Sequence, residues 1–255
     1  MSLDNSKDNI CGILPVKKPE GWTSFDVIAK LRGVLRIKRL GHSGTLDPMA
    51  TGVLPVFVGR ATKACDIIPD RRKVYTAGFQ LGVSTDTLDS TGKTLKTSDK
   101  AVARADLECA KSSFVGDIMQ VPPMYSAIKV NGKKLYELAR AGVEVERKPR
   151  RVVINSLRVN DINLEDDVKT VTITVDCSKG TYIRTLCDDI GKKLGCGACM
   201  MSLKRTRVGD FVIDDTLTLN QIAALALKGE IEDYIVSIDE MFSDYRKLTV
   251  DAVYN

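Results

Sequence analysis

The stretch from Gly41 to Gly52 combines one carboxylate, one imidazole and three glycines, and it has neither helical nor strand periodicity. Asp47 precedes Pro48, and a proline disfavours helical backbone in the residue before it, so we expect the Asp47 carboxylate to lie on extended backbone. The glycines would allow another backbone or a flat ligand to approach closely. These residue types favour a chemical site, although an Asp-Pro turn between glycines is also a common structural loop.

The remaining side chains give little support for metal or redox chemistry. The seven cysteines are an odd number scattered along the chain, which is unlike a disulfide framework, and His42 is the only histidine. Cys196 and Cys199 have the spacing of metal ligands, but no second pair accompanies them. The sequence contains no dinucleotide-binding or phosphate-binding loop. We therefore expect neither a metal nor a cofactor.

The charges are divided unevenly along the chain. From Val208 onward ten acidic residues stand against three basic ones, a balance of −7, so the preceding residues must carry +12 to give the total of +5. The positive charges form four clusters that flank the candidate site segments: residues 36–39, 71–73, 147–151 and 204–207. Any one such cluster is most often a solvated face, but four of them together favour a polyanionic partner.

The composition is that of an ordinary globular protein. The chain has 255 residues, of which 44% are hydrophobic and 28% charged, enough for one large core or two small ones. Charges interrupt every apolar run well before the roughly 20 residues that a membrane span needs. The first residues lack the basic-then-apolar pattern of a secretory signal. We expect a protein without membrane contact, located in the cytoplasm.

Alternating strands and helices should position these residues. Period-2 alternation and apolar runs predict strands at residues 13–16, 53–58, 74–81, 168–177 and 200–207. Pro55 donates no ladder hydrogen bond, so it predicts a strand end or a bulge inside the second of these. Residues 17–22 and 81–92 are rich in turn-forming residues and are predicted to be loops.

Three helices follow from periodicity and capping. Thr23 or Ser24 should cap the first, whose buried stripe is predicted to contain Phe25, Ile28, Leu31 and Leu35. The second should begin after Thr181, with a stripe from Ile183 to Leu194, and end at Gly195. A capping box at Thr218 should open the third, which ends near Gly229.

Arg184 occupies an unfavourable place in the second helix. It lies in the first turn and off the apolar stripe, where the helix dipole disfavours a cation. An anionic partner from elsewhere in the chain would offset this effect. Asp47 is a candidate for that partner.

An ordered set of motifs extends over nearly the whole chain to about residue 210. It comprises Lys18-Pro19 with Gly21 and Thr23-Ser24; residues 41–59 with Ala61-Thr62-Lys63; Lys73 with Tyr75; residues 82–92; residues 120–129 with Gly132, Leu135-Tyr136 and Ala139-Arg140; and residues 177–186. This set resembles the TruB family of tRNA pseudouridine synthases, which isomerise the uridine at position 55 in the T-loop of tRNA.

The resemblance implies a role for seven residues. Asp47 would be the catalytic carboxylate, Arg184 its ion-pair partner, and Tyr75 the ring that lies on the target uracil. Four further residues would bind substrate or support the site: Leu203 as the apolar floor of the pocket, Tyr182 as a neighbour lining it, His42 as a wedge in the T-loop, and Lys18 within a supporting motif. Without the resemblance, Tyr75 would be interpreted as a core aromatic and His42 as structural.

The resemblance also implies an architecture. It is a mixed α/β pseudouridine synthase fold with a largely antiparallel sheet split by the catalytic cleft. Residues 1–245 would form the catalytic domain, in which residues 120–151 are an inserted mobile loop that closes on tRNA. Residues 246–255 would be a short tail or the start of a truncated or absent C-terminal RNA-binding module. We expect a monomer that needs tRNA but no obligate protein partner.

Other interpretations remain open from the sequence. Ser43 replaces the threonine usual in bacterial members and is shared with dyskerin-type synthases, whereas residues 125–129 and 53–63 favour the stand-alone tRNA enzyme. Binding by basic clusters would look the same in an RNA-folding chaperone, although such a protein would not require Asp47, Tyr75 and Arg184 together. A hydrolase using Asp47 would need a second carboxylate for general acid catalysis, and none is evident.

Overall fold

The computed structural model describes residues 10–65 and 72–241, which fall into two compact units. The first unit is drawn from residues 10–48, 52–65 and 214–241, and the second from residues 49–51 and 72–213. The predicted tail at residues 246–255 and Arg71 of the second basic cluster lie outside the described residues.

The regular elements alternate along the chain. The strands are β1 (Gly12–Lys18), β2 (Leu40–His42), β3 (Thr51–Val58), β4 (Lys73–Leu81), β5 (Val83–Thr85), β6 (Thr94–Thr97), β7 (Gly116–Gln120), β8 (Lys129–Val130), β9 (Lys133–Lys134), β10 (Arg150–Asn163), β11 (Thr170–Cys177), β12 (Ala198–Val208) and β13 (Phe211–Val212). The helices are α1 (Ser24–Leu35), α2 (Arg104–Ser112), α3 (Leu135–Arg140), α4 (Ile183–Leu194), α5 (Leu219–Lys228) and α6 (Ile238–Met241), with short 3₁₀ turns at Gly59–Ala64, Ile213–Asp215 and Ile231–Tyr234.

The first unit is built on three antiparallel strands and two packed helices. β3 pairs with β1 along its length and with β2 through its last residues. α1 packs against α5. The buried face of α1 joins the apolar residues of the strands in one core, to which α5 contributes Ile222. This core fixes the strand ends that lead into and out of the Asp47 loop.

The prediction of a break at Pro55 is wrong. Pro55 lies in the middle of β3 and faces Pro15 of β1 in register. Since neither proline has an N–H, the two meet at a position where the antiparallel ladder forms no hydrogen bond between the strands. Their carbonyls are used elsewhere, because Pro55 accepts from Ser43 and Pro15 accepts from Leu217.

The second unit is an antiparallel sheet in the order β12-β4-β11-β10-β7. β4 lies between β11 and β12, and α4 packs against β12 and β4. The alternating pattern predicted for β11 is confirmed, since Val171, Ile173, Val175 and Cys177 are all buried. The mixed α/β class with a largely antiparallel sheet is therefore confirmed.

The helix predictions are confirmed in location, with two errors of detail. Thr23 is the N-cap of α1, and its hydroxyl accepts from the Asp26 amide. The buried face of α1 contains Ser24, Val27, Ile28, Leu31 and Leu35, so the prediction that Phe25 is buried is wrong. The N-cap of α4 is Tyr182 rather than Thr181, whose hydroxyl instead donates to the Ser178 carbonyl.

Among the helices of the described residues, none is both long and apolar enough to cross a membrane.

Candidate active site

Asp47 lies in the loop between β2 and β3 of the first unit. Its side chain is half-buried, and the preceding Leu46 is buried in the core. Buried side chains from earlier in the chain hold the backbone on both sides of Asp47. This arrangement restricts the backbone torsions that aim the carboxylate.

Ser24 holds the peptide that precedes Asp47. The Leu46 amide donates to Ser24 Oγ at 3.0 Å, and the Ser24 hydroxyl lies 3.3 Å from the Leu46 carbonyl oxygen, to which it can donate in return. Ser24 is only 1% exposed, so water does not compete for these bonds. The first turn of α1 thus fixes the approach to Asp47.

Lys18 holds the carbonyl of Pro48, the residue that follows Asp47. Its ammonium group, on a fully buried side chain, donates to the carbonyl oxygens of Pro48 at 3.1 Å and Pro19 at 2.8 Å. The Gly21 amide also donates to the Pro48 carbonyl at 2.9 Å. A buried cation requires such hydrogen bonds to offset its lost hydration. Lys18 therefore acts on the backbone of the Asp47 loop.

His42 ends β2, five residues before Asp47. Its ring meets the ring of Phe25 edge to face, with centroids 5.7 Å apart and an interplanar angle of 89°. His42 is half-buried, whereas Phe25 is exposed. Lys18, His42 and Asp47 therefore all belong to the first unit.

Tyr75 and Leu203 lie on one face of the sheet in the second unit. Tyr75 of β4 is directly opposite Arg205 of β12, and Leu203 is opposite Ala77, two residues further along β4. Side chains at directly opposed positions share a face, as do residues two apart on a strand. Tyr75 and Leu203 are each 7% exposed.

Arg184 is buried in the first turn of α4. Its guanidinium donates to the carbonyl oxygens of Thr87 at 3.2 Å and Tyr125 at 3.0 Å, and it forms an ion pair with Asp89 at 3.4 Å. The sequence predicts an anionic partner for this cation, with Asp47 as the candidate, and Asp89 is an anionic partner that the sequence does not indicate. The proposed pairing of Arg184 with Asp47 stays a prediction.

Asp89 is held in place by its own loop. One carboxylate oxygen accepts from the Thr87 hydroxyl at 2.7 Å and from the amide and hydroxyl of Thr91 at 3.0 and 2.6 Å. The backbone carbonyl of Asp89 accepts from the Thr85 hydroxyl at 2.7 Å. The Asp89 carboxylate therefore reaches Arg184 already oriented. The sequence signal was the density of Thr and Asp in residues 85–91.

Tyr182 is fixed by the side chain of Gln120. The Gln120 amide group donates to the Tyr182 carbonyl at 3.0 Å and accepts from the Tyr182 amide at 2.8 Å. Gln120 is 2% exposed and ends β7. The start of α4, and with it Arg184, is therefore tied to the strand that leads into residues 120–151.

Residues 120–151 carry a short hairpin, β8–β9, followed by the short helix α3. Two cations of this segment flank one aromatic ring, with Lys134 Nζ 5.4 Å and Arg140 Cζ 5.5 Å from the centroid of Tyr136. Arg147 donates to the Pro122 carbonyl at 3.4 Å, which joins the two ends of the segment. The segment thus presents basic and aromatic groups together.

The buried cysteines show no metal site. Cys196 and Cys199 are both buried. Within residues 10–65 and 72–241, no group of three or more His, Cys, Asp or Glu side chains is arranged to hold a metal ion. Burial raises the pKa of Cys177 to about 11 and raises that of Cys199 as well, so neither thiol favours the reactive thiolate.

Comparison with known proteins gives consistent matches along the chain. Residues 32–183 match the model for the TruB family pseudouridylate synthase N-terminal domain, and residues 184–243 match the tRNA pseudouridylate synthase B C-terminal domain. The chain is 48% identical over 241 residues to tRNA pseudouridine synthase B of Clostridium novyi. This alignment covers 94% of the present chain and 81% of the relative. It is 45% identical over 239 residues to the Bacillus subtilis protein of the same name, an alignment that covers 92% of the present chain and 77% of that relative.

A solved structure shows a similar fold. The crystal structure of a Cbf5-Nop10-Gar1 complex contains a chain that superposes with a TM-score of 0.71 and 26% sequence identity. The match covers 94% of the present chain and 64% of the other, so the present chain spans less than two thirds of that protein.

Proposed function

The chain belongs to the TruB family of pseudouridine synthases, and we propose that it isomerises the uridine at position 55 in the T-loop of tRNA. Its class of activity is that of an intramolecular isomerase. The names of its bacterial relatives support tRNA as the substrate. The observation that carries the proposal is the fixing of the Asp47 loop by Ser24 and Lys18, because a carboxylate held this way is suited to chemistry.

Asp47 is the proposed catalytic carboxylate. In the isomerisation the bond between N1 of uracil and C1′ of ribose breaks, the base turns, and C5 bonds to C1′. The proton on C5 is lost and N1 gains one, so no net oxidation occurs and no electron carrier is required. Asp47 would either form a covalent adduct with the substrate or assist departure of the base.

Arg184 and Tyr75 would complete the catalytic set. An arginine beside a carboxylate keeps it ionised and oriented, which is the role proposed for Arg184 toward Asp47. Tyr75 would lie on the uracil ring and take part in removing the C5 proton, with Leu203 as the apolar floor and Tyr182 lining the pocket. The shared sheet face of Tyr75 and Leu203 supports this grouping.

The target base is stacked in a folded RNA loop and must be turned outward at a cost of about a few kcal/mol. Stacking on Tyr75 and insertion of His42 into the vacated space would offset this cost. The basic clusters would contact phosphates and supply most of the affinity. The cations of residues 120–151 support the proposal that this segment closes on tRNA.

We propose that residues 1–245 work as one catalytic domain and that the protein acts as a monomer in the cytoplasm, without a cofactor or a protein partner. The similar solved structure contains Cbf5 together with Nop10 and Gar1. The experiment must therefore distinguish a protein that acts alone from one that requires partner proteins.

The test is chemical mapping of pseudouridine in an unmodified tRNA transcript incubated with this protein alone. We expect modification at position 55 and none in a matched transcript with cytidine there. Tight binding without modification would instead favour the RNA-folding chaperone. Modification that appears only after other proteins are added would contradict the stand-alone enzyme.

A further inference from the structure

Phe25 is the most exposed aromatic residue of the first unit's described part, at 71%. The periodicity of α1 would bury it, but Ser24 takes the inward place in the first turn because it binds the Leu46 peptide. Phe25 is therefore turned outward. A residue that breaks a sequence rule without a compensating gain in packing is expected to lie at a functional position.

The Phe25 ring is oriented by His42. The edge-to-face contact at 5.7 Å is a favoured aromatic geometry, and it fixes the mutual orientation of the two rings while most of Phe25 remains accessible. Phe25 also follows Ser24 directly. Phe25 is thus carried by the same turn of α1 that holds the Asp47 loop, and His42 by the strand that leads into this loop.

The segment that joins the two rings along the chain carries a charge that suits an anionic partner. Residues 24–42 contain five exposed cations and one acidic residue, Asp26; the cations are Lys30, Arg32, Arg36, Lys38 and Arg39. The Asp26 carboxylate accepts hydrogen bonds from the Thr23 amide and hydroxyl, at 2.8 and 2.7 Å. An aromatic ring among cations is the combination that single-stranded nucleic acids bind, through base stacking and phosphate contacts.

We infer that Phe25 and His42 form a stacking surface for an unpaired RNA base adjacent to the uridine delivered to Asp47. This inference rests on the proposed function and extends it, because it assigns a base contact to a residue outside the catalytic set. The ligand is a nucleobase in a single-stranded loop. A paired base in a duplex has both faces covered and cannot use the surface.

The test compares the RNA affinity of the wild type with that of Phe25→Ala, Phe25→Tyr and Leu227→Ala. Leu227 is the matched control, since it is 90% exposed on α5 of the same unit. Each protein is titrated by filter binding with a tRNA T-arm stem-loop and with a fully paired RNA duplex of the same length. Single-turnover pseudouridine formation at saturating enzyme provides the rate.

We expect Phe25→Ala to weaken stem-loop binding by about 5- to 150-fold, from the usual strength of base stacking, and to leave duplex binding within about twofold. Phe25→Tyr should stay within about threefold of wild type, because it keeps the ring. The saturated rate of Phe25→Ala should remain within about threefold. Thermal unfolding should be nearly unchanged, since the side chain is exposed.

If Phe25→Ala binds the stem-loop as tightly as the wild type does, the inference is overturned, and a protein would be the next partner to test for this surface. An equal loss with duplex and stem-loop would also overturn it. If the wild type forms no pseudouridine while Phe25→Ala still loses stem-loop affinity selectively, the proposed function fails and the stacking surface stands.

Discussion

Asp47 depends for its position on two buried side chains that precede it in the chain. Ser24 holds the Leu46 peptide and Lys18 holds the Pro48 carbonyl. Neither group needs to contact the substrate to influence the reaction, because a displacement of a catalytic group by about 1 Å can cost on the order of 100-fold in rate. Both side chains are therefore positioning residues in this account.

Ser24→Ala separates positioning from general stability. The change leaves a buried N–H and a buried carbonyl without the Ser24 hydroxyl, so we expect at least about a tenfold fall in the single-turnover rate while tRNA affinity stays within about twofold. Thr23→Ala is the control, because it removes the N-cap of the same helix at a cost of about 1 kcal/mol without touching Leu46. A similar loss of rate in both variants would assign Ser24 a merely structural role.

Asp89→Ala tests the buried partner of Arg184. Removing one member of a buried ion pair leaves the other poorly compensated, so we expect a loss of about 3 kcal/mol in the free energy of unfolding and at least about a tenfold loss in rate. Asp86→Asn is the control, since Asp86 is an exposed carboxylate in the same loop. Wild-type rate in Asp89→Ala would show that Arg184 is positioned by its other contacts.

For individual side chains, the sequence predicted the type of residue better than its interaction partner. The unfavourable place of Arg184 correctly indicated an anionic partner, but Asp89 lies 95 residues away and no local pattern links the two. The bond between Ser24 and Leu46 spans 22 residues and depends on how α1 packs. Phe25 failed the periodicity rule because that same bond turned Ser24 inward.

Helix α4 ties Arg184 to the sheet of the second unit. Its buried face packs on β12 and β4, its first turn carries Arg184, and Gln120 holds its N-cap.

Two adjacent acids follow on the same helix. Asp188 is buried and pairs with Lys192 at 2.6 Å, and burial raises the pKa of Asp189 to about 6.

The raised pKa of Asp189 predicts a pH-dependent stability. Because the folded value of about 6 exceeds the unfolded value near 3.8, the stability linked to Asp189 is fully present below pH 3.8 and is lost as the pH rises through about 6. Asp189→Asn should therefore be more stable than wild type at neutral pH, with a smaller advantage near pH 4.5. Lys192 opposes the shift and Asp188 adds to it.

Denaturant unfolding at the two pH values measures this difference. Asp161→Asn is the control, because Asp161 is an exposed carboxylate on β10. An advantage of Asp189→Asn that is equal at both pH values would contradict the assignment.

Elements with a strong period or a full capping signal were predicted well. β11 alternates over its whole length, and Thr218 with Gln221 forms the expected capping box. β7, β10 and α2 were not predicted, because β10 exposes many polar residues and α2 buries only Leu107 and Ala110. The prediction of a strand break at Pro55 was wrong because the sequence does not show that Pro15 faces Pro55 in the neighbouring strand.

The whole chain carries its charge in two parts, positive before Val208 and negative after it. If phosphate contacts supply most of the affinity, tRNA binding should weaken by at least about 100-fold when the salt concentration rises from about 50 to 200 mM. Filter binding at several salt concentrations measures the slope. An affinity that does not depend on salt would exclude the basic clusters from tRNA binding.

We propose that Asp47 carries out the isomerisation while other residues bind the RNA. The most direct measurement is single-turnover pseudouridine formation by Asp47→Asn at saturating protein, with tRNA affinity measured in parallel and with Asp161→Asn as the control. We expect the tRNA affinity of Asp47→Asn to stay within about twofold of wild type and its rate to be lower by at least about 1,000-fold. Conversion by Asp47→Asn at the wild-type rate would contradict this proposal.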